Sequence, residues 1–545
     1  MSTPENTPVI SHSVPLIVAP ANIGPNWEEE CTKYGVKLIY SPLAPSVQPV
    51  QPVSVVLKPH QITCYKKLSE YMSRRISALL CAPTGTGKTI ACIKLAKDYG
   101  LNLFVVGPAN IGPNWEEECT KYGVKLTFIS YSLLAGKSGV MNHPYINVHN
   151  GDYYASETFK QHVASGILLV YDECQSVKKI TSISSQVCYA LSYEVKRQNQ
   201  RSRIILSSGT PFDKEIFAES MFKLMAIIRQ KELFFYNVGY NEYQMDGYGY
   251  EEAENYCNQI DPVLTAACYP ARINAKQIRM SLYNLFVNVV KQRSIFTMPR
   301  PKINAKFIPV AGYYTLEEPA LSELNIAIRQ LHRAARKENG EIGFTSGNMG
   351  AITKAFVAME KAKVPLFHRL LTEQLEKDPN CKVVLYVWHD DTIDKLLQSL
   401  SKYNPLRCDG KVQPPAKRDK LRLLFQQPNN QYRVILAKAT AFGVGINLDD
   451  TNGNFPRHVF INPHYYFDKI HQGAGRIYRT CTESDAHCYL TYIKNTDEHS
   501  IVQALYRKTD VTKSIVFDTP SDEENTTEEA ENLTIFPADY PIRDM

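Results

Sequence analysis

The stretch Ala82-Pro83-Thr84-Gly85-Thr86-Gly87-Lys88-Thr89 decides the fold of this 545-residue chain. It lies between an apolar run at 76–81 and a helical pattern at 90–97, which is the strand–loop–helix context of a phosphate loop. Its glycines let backbone N–H groups curl around phosphates, and the helix N-terminus adds the positive end of its dipole. We therefore predict that residues 84–89 bind ATP. Lys88 would reach the β- and γ-phosphates, and the Thr89 hydroxyl would ligate Mg²⁺.

A pair of acidic residues follows the apolar run at 167–171. In Tyr171-Asp172-Glu173-Cys174-Gln175 the two carboxylates come at the carboxyl end of a predicted strand, a place suited to metal binding and water activation. Asp172 is predicted to hold Mg²⁺, and Glu173 to orient or deprotonate the attacking water. An Asp-Glu pair alone is a weak signal, because most such pairs are solvated surface. Its position after a phosphate loop makes it informative.

Two arginines of a later segment complete the predicted site. Gln472-Gly473-Ala474-Gly475-Arg476-Ile477-Tyr478-Arg479 places the guanidinium groups three residues apart, on one face if the segment is helical. Across a cleft from the γ-phosphate, Arg476 and Arg479 would neutralise the charge that develops in the transition state. Arginine fingers of that kind contribute roughly 10³–10⁵ in rate. A solvent-exposed basic helix is the alternative interpretation.

Two series of short apolar runs predict an α/β fold with two lobes. Continuous apolar runs are typical of strands that are buried on both faces of a parallel sheet. The first series lies at 76–81, 103–106, 167–171 and 204–207, and the second at 383–387, 434–437, 459–461 and 488–492. Trp115, Cys119 and Tyr122 have helical spacing after Gly112-Pro113, which favours a helix there. Between the two series, residues 212–300 are predicted to form a mostly helical insert, including helices at 216–229 and 281–292.

The predicted domains follow from these patterns. Residues 1–56 form a proline-rich N-terminal extension, 57–211 the first lobe, 212–300 the insert, 301–517 the second lobe and 518–545 an acidic tail. Within the extension, the residues from Pro20 to Leu38 recur without a change from Pro108 to Leu126. The second copy follows the phosphate loop at a natural distance and is interpreted as the working copy. The first is either a regulatory decoy or, as we favour, a duplication without a role.

The charge is divided unevenly along the chain. From Asp518 onward, nine acidic residues and one basic residue give the tail a charge of −8, which leaves +14 on the remainder because the net charge is +6. A basic body fits a polyanion partner, although a solvated basic surface is about as common. The tail is predicted to be a solubilising segment. A partner-binding role, or masking of the basic cleft, is the alternative.

Composition argues against several classes of protein. Apolar residues make up 44% of the chain and charged residues 21%, as in ordinary globular proteins. No stretch approaches the roughly 20 apolar residues that span a bilayer, and no secretory signal is visible. We therefore expect no membrane partner and an intracellular location, with nucleus, cytoplasm, viral factory and virion not distinguished. The 13 cysteines include no C-x-x-C pair, which argues against a zinc finger and favours reduced core thiols.

The order of these motifs resembles the superfamily 2 helicases, and more closely the Swi/Snf-type translocases, over about residues 57–510. The resemblance implies two tandem RecA-like lobes that hydrolyse ATP while they hold nucleic acid. It implies that Gln61, in Leu57-Lys58-Pro59-His60-Gln61, contacts the base, and that Gly445 contacts the nucleotide. Contacts with nucleic acid are implied for Pro108, Trp115, Ser130, Tyr131, Gly443 and Asn447. Coupling of the ATP site to nucleic acid is implied for Gln175, Thr210 and Gln472.

Departures from the family pattern bear on function. Gln175 stands where the family usually has histidine, which affects the coupling contact but not hydrolysis. No appended histone-reading or zinc module is visible, so a compact motor would suit a large DNA virus as well as a cell. The favoured function is translocation on double-stranded DNA, to displace or remodel bound complexes such as a transcription complex. A strand-separating DNA or RNA helicase and a non-catalytic nucleic-acid-binding scaffold are the alternatives.

Overall fold

The computed structural model describes most of the chain between residues 54 and 511. The described residues are 54–83, 85–136, 144–198, 201–299, 303, 305–310, 313–335, 348–412, 415–439, 447–479, 481–498, 501, 502, 505, 508 and 511, together with 16–19 and 37–40. For 16–19, 37–40, 415–419 and 467–468 the backbone alone is described. The predicted acidic tail, 518–545, lies outside the described residues.

The chain divides into two compact units, Met1–Ser54 with Lys121–Gly123 and the remainder. In the smaller unit, strands β1 (Leu16–Ala19) and β2 (Lys37–Tyr40) pair in parallel. These strands flank most of the first copy of the repeated sequence, whose residues 20–36 lie outside the described part of the chain. Both lobes belong to the larger unit.

The first lobe is built on a six-stranded sheet in which all neighbouring strands are parallel. Its strands in spatial order are β12 (Ile295–Phe296), β3 (Ser77–Cys81), β9 (Arg203–Ser208), β8 (Ile167–Asp172), β4 (Asn102–Gly107) and β5 (Leu126–Ser130). Its helices are α1 (Pro59–Arg74), α2 (Lys88–Tyr99), α3 (Gly112–Tyr122), α4 (Tyr131–Leu134), α5 (Glu157–Ser165) and α6 (Ile183–Gln198). An antiparallel hairpin of β6 (Ile146–His149) and β7 (Asp152–Ala155) precedes α5.

The second lobe has its own six-stranded parallel sheet, which confirms the predicted α/β class with two tandem lobes. In spatial order the strands are β13 (Phe307–Val310), β18 (Ala486–Leu490), β17 (Arg457–Ile461), β14 (Lys382–Val387), β16 (Val434–Lys438) and β15 (Leu406–Cys408). The helices are α12 (Ala320–Ala335), α13 (Met349–Ala362), α14 (Val364–Lys377), α15 (Asp390–Ser399), α16 (Pro415–Gln426) and α17 (Phe467–Ala474). Within the described part of the chain, no helix has the length and apolar character needed to cross a membrane.

The insert packs onto the first lobe instead of forming a separate core. Its elements are α7 (Ala218–Leu224), the antiparallel hairpin β10 (Phe235–Asn237) and β11 (Glu242–Gln244), α8 (Gly249–Asn258), α9 (Pro262–Ala267), α10 (Ala275–Leu285) and α11 (Lys291–Ser294). The ring of Phe286, between α10 and α11, meets those of Phe212 and Phe222 edge-on, with centroids 5.5 Å apart in each pair. These rings share one apolar core with Phe104 of β4.

Both helices predicted in the insert need correction. The helix predicted at 216–229 ends at Leu224, and Ala226 has a φ of 55°, a left-handed conformation that cannot continue a right-handed helix. The helix predicted at 281–292 belongs to a longer helical stretch, which begins at Ala275 and ends at Ser294 with a π-helical turn at Phe286–Val290. Apolar periodicity therefore found both helices but misjudged their lengths.

Candidate functional site

The phosphate loop lies at the carboxyl end of β3, where the chain turns into α2. Gly85 and Gly87 have φ angles of 87° and 91°, a left-handed conformation that favours glycine. A β-carbon at Gly87 would lie 2.0 Å from Nε2 of Gln61, so this side chain and the loop fit only because residue 87 is glycine. Helix α2 begins directly after it, at Lys88, as anion binding requires. Thr84 lies outside the described residues.

Lys88 lies inside the loop and not in solvent. Its side chain is buried, and Nζ donates hydrogen bonds to the carbonyl oxygens of Ala82 (2.7 Å) and Pro83 (3.1 Å). The Thr86 hydroxyl donates to the same Pro83 oxygen at 2.9 Å and so closes the turn. Thr89 is half-buried in the first turn of α2. The structure thus brings these predicted phosphate-binding and metal-binding residues together at one helix N-terminus.

Gln61, the predicted base contact, reaches from the start of α1 to the phosphate loop. Its Oε1 accepts a hydrogen bond from the Lys58 N–H at 2.8 Å, and its Nε2 donates to the Thr86 carbonyl at 2.8 Å. Nε2 of His60 lies 3.0 Å from the same carbonyl oxygen. Because both ends of the Gln61 amide are engaged within the protein, a base contact by this side chain requires at least one of these bonds to break.

Asp172, the predicted Mg²⁺ ligand, is buried at the end of β8 and held by neighbouring elements. Trp115 of α3 donates from its indole Nε1 to Oδ2 at 2.9 Å, and Ser207 of β9 donates to Oδ1 at 2.9 Å. The Tyr131 hydroxyl donates to the Asp172 main-chain oxygen, also at 2.9 Å. Burial raises the pKa of this carboxyl and the adjacent Glu173 raises it further, whereas the Trp115 and Ser207 donors lower it. Both carboxylate oxygens are therefore oriented by the protein itself.

Glu173, the predicted base for the attacking water, touches both lobes. Its backbone is left-handed, with a φ of 52° and a ψ of 51°, which is uncommon for a residue other than glycine. Its Oε2 accepts hydrogen bonds from Nε2 of Gln175 in its own lobe and from Nε2 of Gln472 in the second lobe, the latter at 3.1 Å. Oε1 of Gln472 is buried without a hydrogen-bond partner among the described residues. The second lobe thus directly contacts the carboxylate that is predicted to activate water.

The predicted coupling residues form one hydrogen-bonded chain. Oε1 of Gln175 accepts from the Ser208 hydroxyl at 2.6 Å, and Ser208 Oγ in turn accepts from the Thr210 N–H at 2.9 Å. Together with the bonds to Glu173, this chain links Gln472, Gln175 and Thr210. The amide of glutamine donates and accepts at once, as the two ring nitrogens of a neutral histidine would. Glutamine at position 175 therefore keeps a continuous polar path where the family usually has histidine.

The two arginines of the second lobe are not on a helix, so the condition for one shared helical face is not met. Helix α17 ends at Ala474, Arg476 lies in the turn that follows, and Arg479 lies in irregular backbone. Glycine at 475 explains the end, because glycine is a poor helix former. Arg476 is buried and Arg479 half-buried, so the alternative of a solvent-exposed basic helix is also wrong.

The guanidinium groups lie in an environment that fits an anion. Burial lowers the pKa of Arg476, and burial together with the neighbouring Arg476 lowers the pKa of Arg479 to about 9. Nε and Nη2 of Arg479 are buried and have no hydrogen-bond partner among the described residues. Unpaired buried donors are costly, and a phosphoryl oxygen would satisfy them with charge-assisted bonds. Both arginines are also close enough to Glu173 for its charge to raise their pKa values.

Three residues predicted to contact nucleic acid have buried side chains. Trp115, Ser130 and Tyr131 are only 1%, 2% and 7% exposed. Trp115 and Tyr131 hold Asp172, as described above, and Ser130 Oγ accepts a hydrogen bond from the Leu133 N–H to cap α4. Their side chains are therefore engaged within the protein, and the contacts with nucleic acid predicted for these positions stay predictions.

The other residues predicted to contact nucleic acid or nucleotide differ in what the structure describes. Pro108 is half-buried after β4, and Asn447 is exposed in the second lobe. The main-chain oxygen of Asn447 accepts a hydrogen bond from Gln426 Nε2 at 3.1 Å, and the contact with nucleic acid predicted for this residue stays a prediction. Gly443 and Gly445 lie outside the described residues, so the contacts predicted for them stay predictions.

Sequence reasoning missed Ser207, the second side chain that donates to the Asp172 carboxylate. In the parallel pairing of β8 with β9, Asp172 lies opposite Ser207, so the register itself sets the contact. The available signal was small: a polar residue at the end of the apolar run at 204–207. Only the neighbourhood of β8 and β9 in the sheet, which the chain order does not give, makes that serine significant.

Comparisons with known proteins agree with this site. Residues 54–174, from before α1 to just past the Asp172–Glu173 pair, match the family model described as "Type III restriction enzyme, res subunit". A protein of Acanthamoeba polyphaga mimivirus named as a "putative ATP-dependent RNA helicase" is 21% identical over an alignment of 478 positions that covers 84% of this chain and 82% of that protein. These similarities confirm the prediction of an ATP-hydrolysing, helicase-type enzyme.

Two solved structures from Sulfolobus solfataricus are also similar to this chain. One is the SWI2/SNF2 ATPase core in complex with dsDNA, at 14% identity and a TM-score of 0.31, covering 86% of this chain and 99% of that one. The other is the SWI2/SNF2 ATPase core domain, at 16% identity and a TM-score of 0.29, covering 87% and 93%. Likeness at these TM-scores decides neither the family nor the substrate of this chain.

Proposed function

We propose that this helicase-type ATPase of superfamily 2 is a motor that translocates on double-stranded DNA and remodels or displaces complexes bound to it. The proposal of a motor rests on one observation: Gln472 of the second lobe donates a hydrogen bond at 3.1 Å to Glu173 of the first lobe. Because Glu173 is the carboxylate predicted to activate water, hydrolysis and the position of the second lobe share one contact. A cycle that makes and breaks this contact would step the lobes along a nucleic-acid backbone.

Residues on both sides of the cleft have distinct roles in the proposed hydrolysis. Lys88 neutralises the β- and γ-phosphates of ATP, and Glu173 orients or deprotonates the attacking water. Arg479, with two unpaired buried nitrogens, neutralises charge on the transferred phosphoryl group. Asp172 and Thr89 would hold Mg²⁺, which fits their oxygen ligands and supplies further charge neutralisation at the phosphates.

The preference for duplex DNA rests on the Swi/Snf-type order of the motifs. The charge of +14 outside the acidic tail supports a polyanionic partner without distinguishing DNA from RNA. Contacts mainly to phosphates give weak sequence specificity and an affinity that falls steeply with salt, because binding releases counterions. A motor that tracks one backbone in this way has no need to read bases.

A strand-separating helicase on RNA is the second candidate, because the mimivirus relative carries that name. Strand separation requires an element that enters the duplex, and the β10–β11 hairpin has a suitable tip. Val238 and Tyr240 at this tip are 82% and 77% exposed. An exposed aromatic ring can stack on bases, although the nearby Glu242 would repel phosphates. If strand separation is observed, this hairpin is therefore the element to mutate.

The test is ATPase activity measured side by side with duplex DNA, single-stranded DNA and RNA of matched length and salt. The proposal expects the largest rise in kcat with duplex DNA, and displacement of a protein roadblock from duplex without release of a free strand. Lys88→Ala, which removes the phosphate-binding ammonium, is the matched inactive control in every arm.

The other outcomes of these measurements would contradict the proposal of a duplex translocase. Stimulation mainly by RNA, with strand release, would replace the proposal by the second candidate. Nucleic-acid binding without any ATPase above the Lys88→Ala background would instead indicate a non-catalytic scaffold. Equal stimulation by all three nucleic acids, with no roadblock displacement, would also contradict the duplex translocase.

The acidic tail and the place of action complete the proposal. We infer that residues 518–545 are a solubilising segment and that the motor works inside a cell or a viral factory. The tail's charge of −8 is also suited to masking a basic cleft or to a basic protein partner. Deleting 518–545 should leave the affinity for duplex DNA unchanged without ATP; a marked rise would show that the tail masks the cleft.

A further inference from the structure

Three side chains of metal-ligand type converge in the second lobe. Asp378 follows the end of α14, Cys381 immediately precedes β14, and His458 is the second residue of β17. One carboxylate oxygen, the Sγ atom and one ring nitrogen all lie within 4.8 Å of one another. Asp378 and Cys381 share one turn, whereas His458 comes from a strand 77 residues further along the chain, so the turn alone does not account for the meeting of all three.

The cluster lies at the end of the sheet where the inner strands β14 and β17 begin. Lys382 and Arg457, the first residues of these strands, are paired in the parallel register. The segment that carries the ATP-site arginines packs at the other end of β14, where a β-carbon on Gly473 would lie 3.2 Å from the Tyr386 ring. The cluster is therefore separated from the ATP site by the length of a strand.

His458 is held in the form that binds metal. Its Nδ1 lies 3.1 Å from the Tyr489 hydroxyl, and its Nε2 lies 3.3 Å from Nε2 of Gln374. With the Gln374 amide nitrogen as donor, the imidazole Nε2 accepts and Nδ1 carries the proton towards Tyr489. A ring N–H held by an outer partner is typical of metal-bound histidines, and a metal at Nε2 would take the place of the Gln374 hydrogen bond.

Cys381 is fully buried and has a cation beside its sulfur. Sγ lies 3.4 Å from the Gln374 main-chain oxygen and 3.5 Å from Nη2 of Arg433. The same Nη2 donates to the Asp378 carbonyl at 2.5 Å, so the guanidinium fixes the loop that carries two of the three ligands. Burial raises the pKa of the Cys381 thiol and the Arg433 guanidinium opposes this rise, so metal binding has to displace the thiol proton.

We propose that Asp378, Cys381 and His458 form a Zn²⁺ site that fastens α14 to the starts of β14 and β17. Sulfur, nitrogen and oxygen donors together suit Zn²⁺, whereas Ca²⁺ and Mg²⁺ take oxygen ligands. Zn²⁺ bonds are about 2.0–2.3 Å long, so the three ligands must draw together slightly. The half-buried Asp378 side chain would make that movement, and a water molecule would supply the fourth tetrahedral ligand.

This site is structural and acts apart from ATP hydrolysis. The ligands tie a helix end to two strand starts that are separated by about 75 residues of sequence, so binding stabilises the folded lobe over the unfolded chain. The absence of a C-x-x-C pair does not bear on this cluster, because it contains a single cysteine. The proposal is independent of the nucleic-acid substrate.

The test uses the full-length chain, stripped with a chelator and titrated with Co²⁺ alone, followed by displacement with Zn²⁺. Coordination by a thiolate gives Co²⁺ a near-ultraviolet charge-transfer band, which an oxygen-ligated metal at the ATP site cannot produce. We expect one equivalent of Co²⁺ with this band, and its loss in Cys381→Ala. Tyr489→Phe, which keeps all three ligands but removes their outer partner, should weaken binding about 10- to 100-fold.

Cys488→Ala is the matched control. Cys488 is a buried cysteine of β18 next to Tyr489, but it packs in the other apolar core of the lobe, away from Cys381. Its loss should leave the band and the Zn²⁺ affinity unchanged. If the wild-type chain shows no thiolate band at micromolar free Co²⁺, or if Cys381→Ala keeps it, the proposal is overturned. If Cys381→Ala does not fold, the absence of the band in the wild-type titration still overturns the proposal. An unchanged metal affinity in Tyr489→Phe overturns it as well.

Discussion

Replacing Trp115 by phenylalanine should slow ATP hydrolysis through the Mg²⁺ ligand, although Trp115 belongs to a segment that resembles a DNA-contacting motif. The substitution keeps an aromatic ring in a site that is 1% exposed, but removes the Nε1–H that donates to Asp172 Oδ2 at 2.9 Å. The Ser207 hydroxyl still donates to Oδ1, at 2.9 Å. One of two carboxylate oxygens therefore loses its orienting side-chain donor.

The magnitude follows from the type of bond. A hydrogen bond to a charged group contributes about 1.5–3 kcal/mol, which corresponds to roughly 10- to 150-fold in kcat/KM if the bond is needed in the transition state. The smaller ring leaves a gap beside a polar group, and a water molecule of about 30 Å³ can enter such a gap and donate in its place. We therefore expect the lower end, about a tenfold loss.

The pH dependence should change as well. Trp115 donates to the ionised form of Asp172 and so lowers a pKa that burial and Glu173 raise. Without this donor the pKa rises further, and a larger fraction of the carboxyl is protonated at a given pH. Because Mg²⁺ binds the ionised carboxylate, the acidic limb of the pH–rate profile should move to higher pH, and more Mg²⁺ should be needed for half-maximal rate.

Tyr131→Phe is the control, measured in the same steady-state ATPase assay with duplex DNA and varied Mg²⁺. Its hydroxyl donates to Asp172 over the same distance, 2.9 Å, but to the main-chain oxygen. It should lower the melting temperature without changing the Mg²⁺ dependence. The reasoning fails if Trp115→Phe keeps its kcat/KM within about twofold of wild type, or if both variants show the same shift in Mg²⁺ dependence.

Three further predictions concern the cleft. Glu173→Gln should bind ATP but abolish hydrolysis, as shown by nucleotide titration and phosphate release; near-normal ATPase would remove Glu173 as the base. Arg479→Ala should spare nucleotide affinity and lower kcat by about 10³-fold or more, and an unchanged kcat would exclude it as a finger. Gln472→Ala breaks the contact between the lobes, so duplex DNA should no longer raise kcat above the basal rate; a preserved stimulation factor would show that coupling runs elsewhere.

The strands of the fold were predictable where they are buried on both faces. All eight predicted runs fall on strands, with overhangs of one residue at 76–81 and two at 488–492. Within the two six-stranded sheets, the missed strands are β5, β12, β13 and β15, which are the four outer strands; the short two-stranded pairs were missed as well. An outer strand has a neighbour on one side only and is partly exposed, so its sequence need not be a continuous apolar run. Hydrophobic patterning alone could not have found them.

The candidate site was predictable where chemistry requires a fixed residue order. The phosphate loop fixes glycines and a lysine in one local turn, so Lys88 could be placed from eight residues. The contact of Gln472 with Glu173 joins residues 299 apart, and only the resemblance to a family suggested it. Nothing in the order of the chain predicts that Ser207 lies opposite Asp172, since that follows from which strands are neighbours in the sheet.

Trp115 shows how two sequence signals can disagree about one side chain. Its motif assigned it to nucleic acid, whereas its helical spacing with Cys119 placed it on an apolar face; both side chains are buried, at 1% and 2% exposure. Burying an indole is favourable only if its N–H finds a partner, because an unmatched buried donor costs about 1–3 kcal/mol. Asp172 is that partner. Burial of Trp115 and Cys119 on one face of α3 and orientation of the Asp172 carboxylate therefore depend on the same packing. A substitution that exposes this tryptophan to DNA would also release the carboxylate from its indole donor.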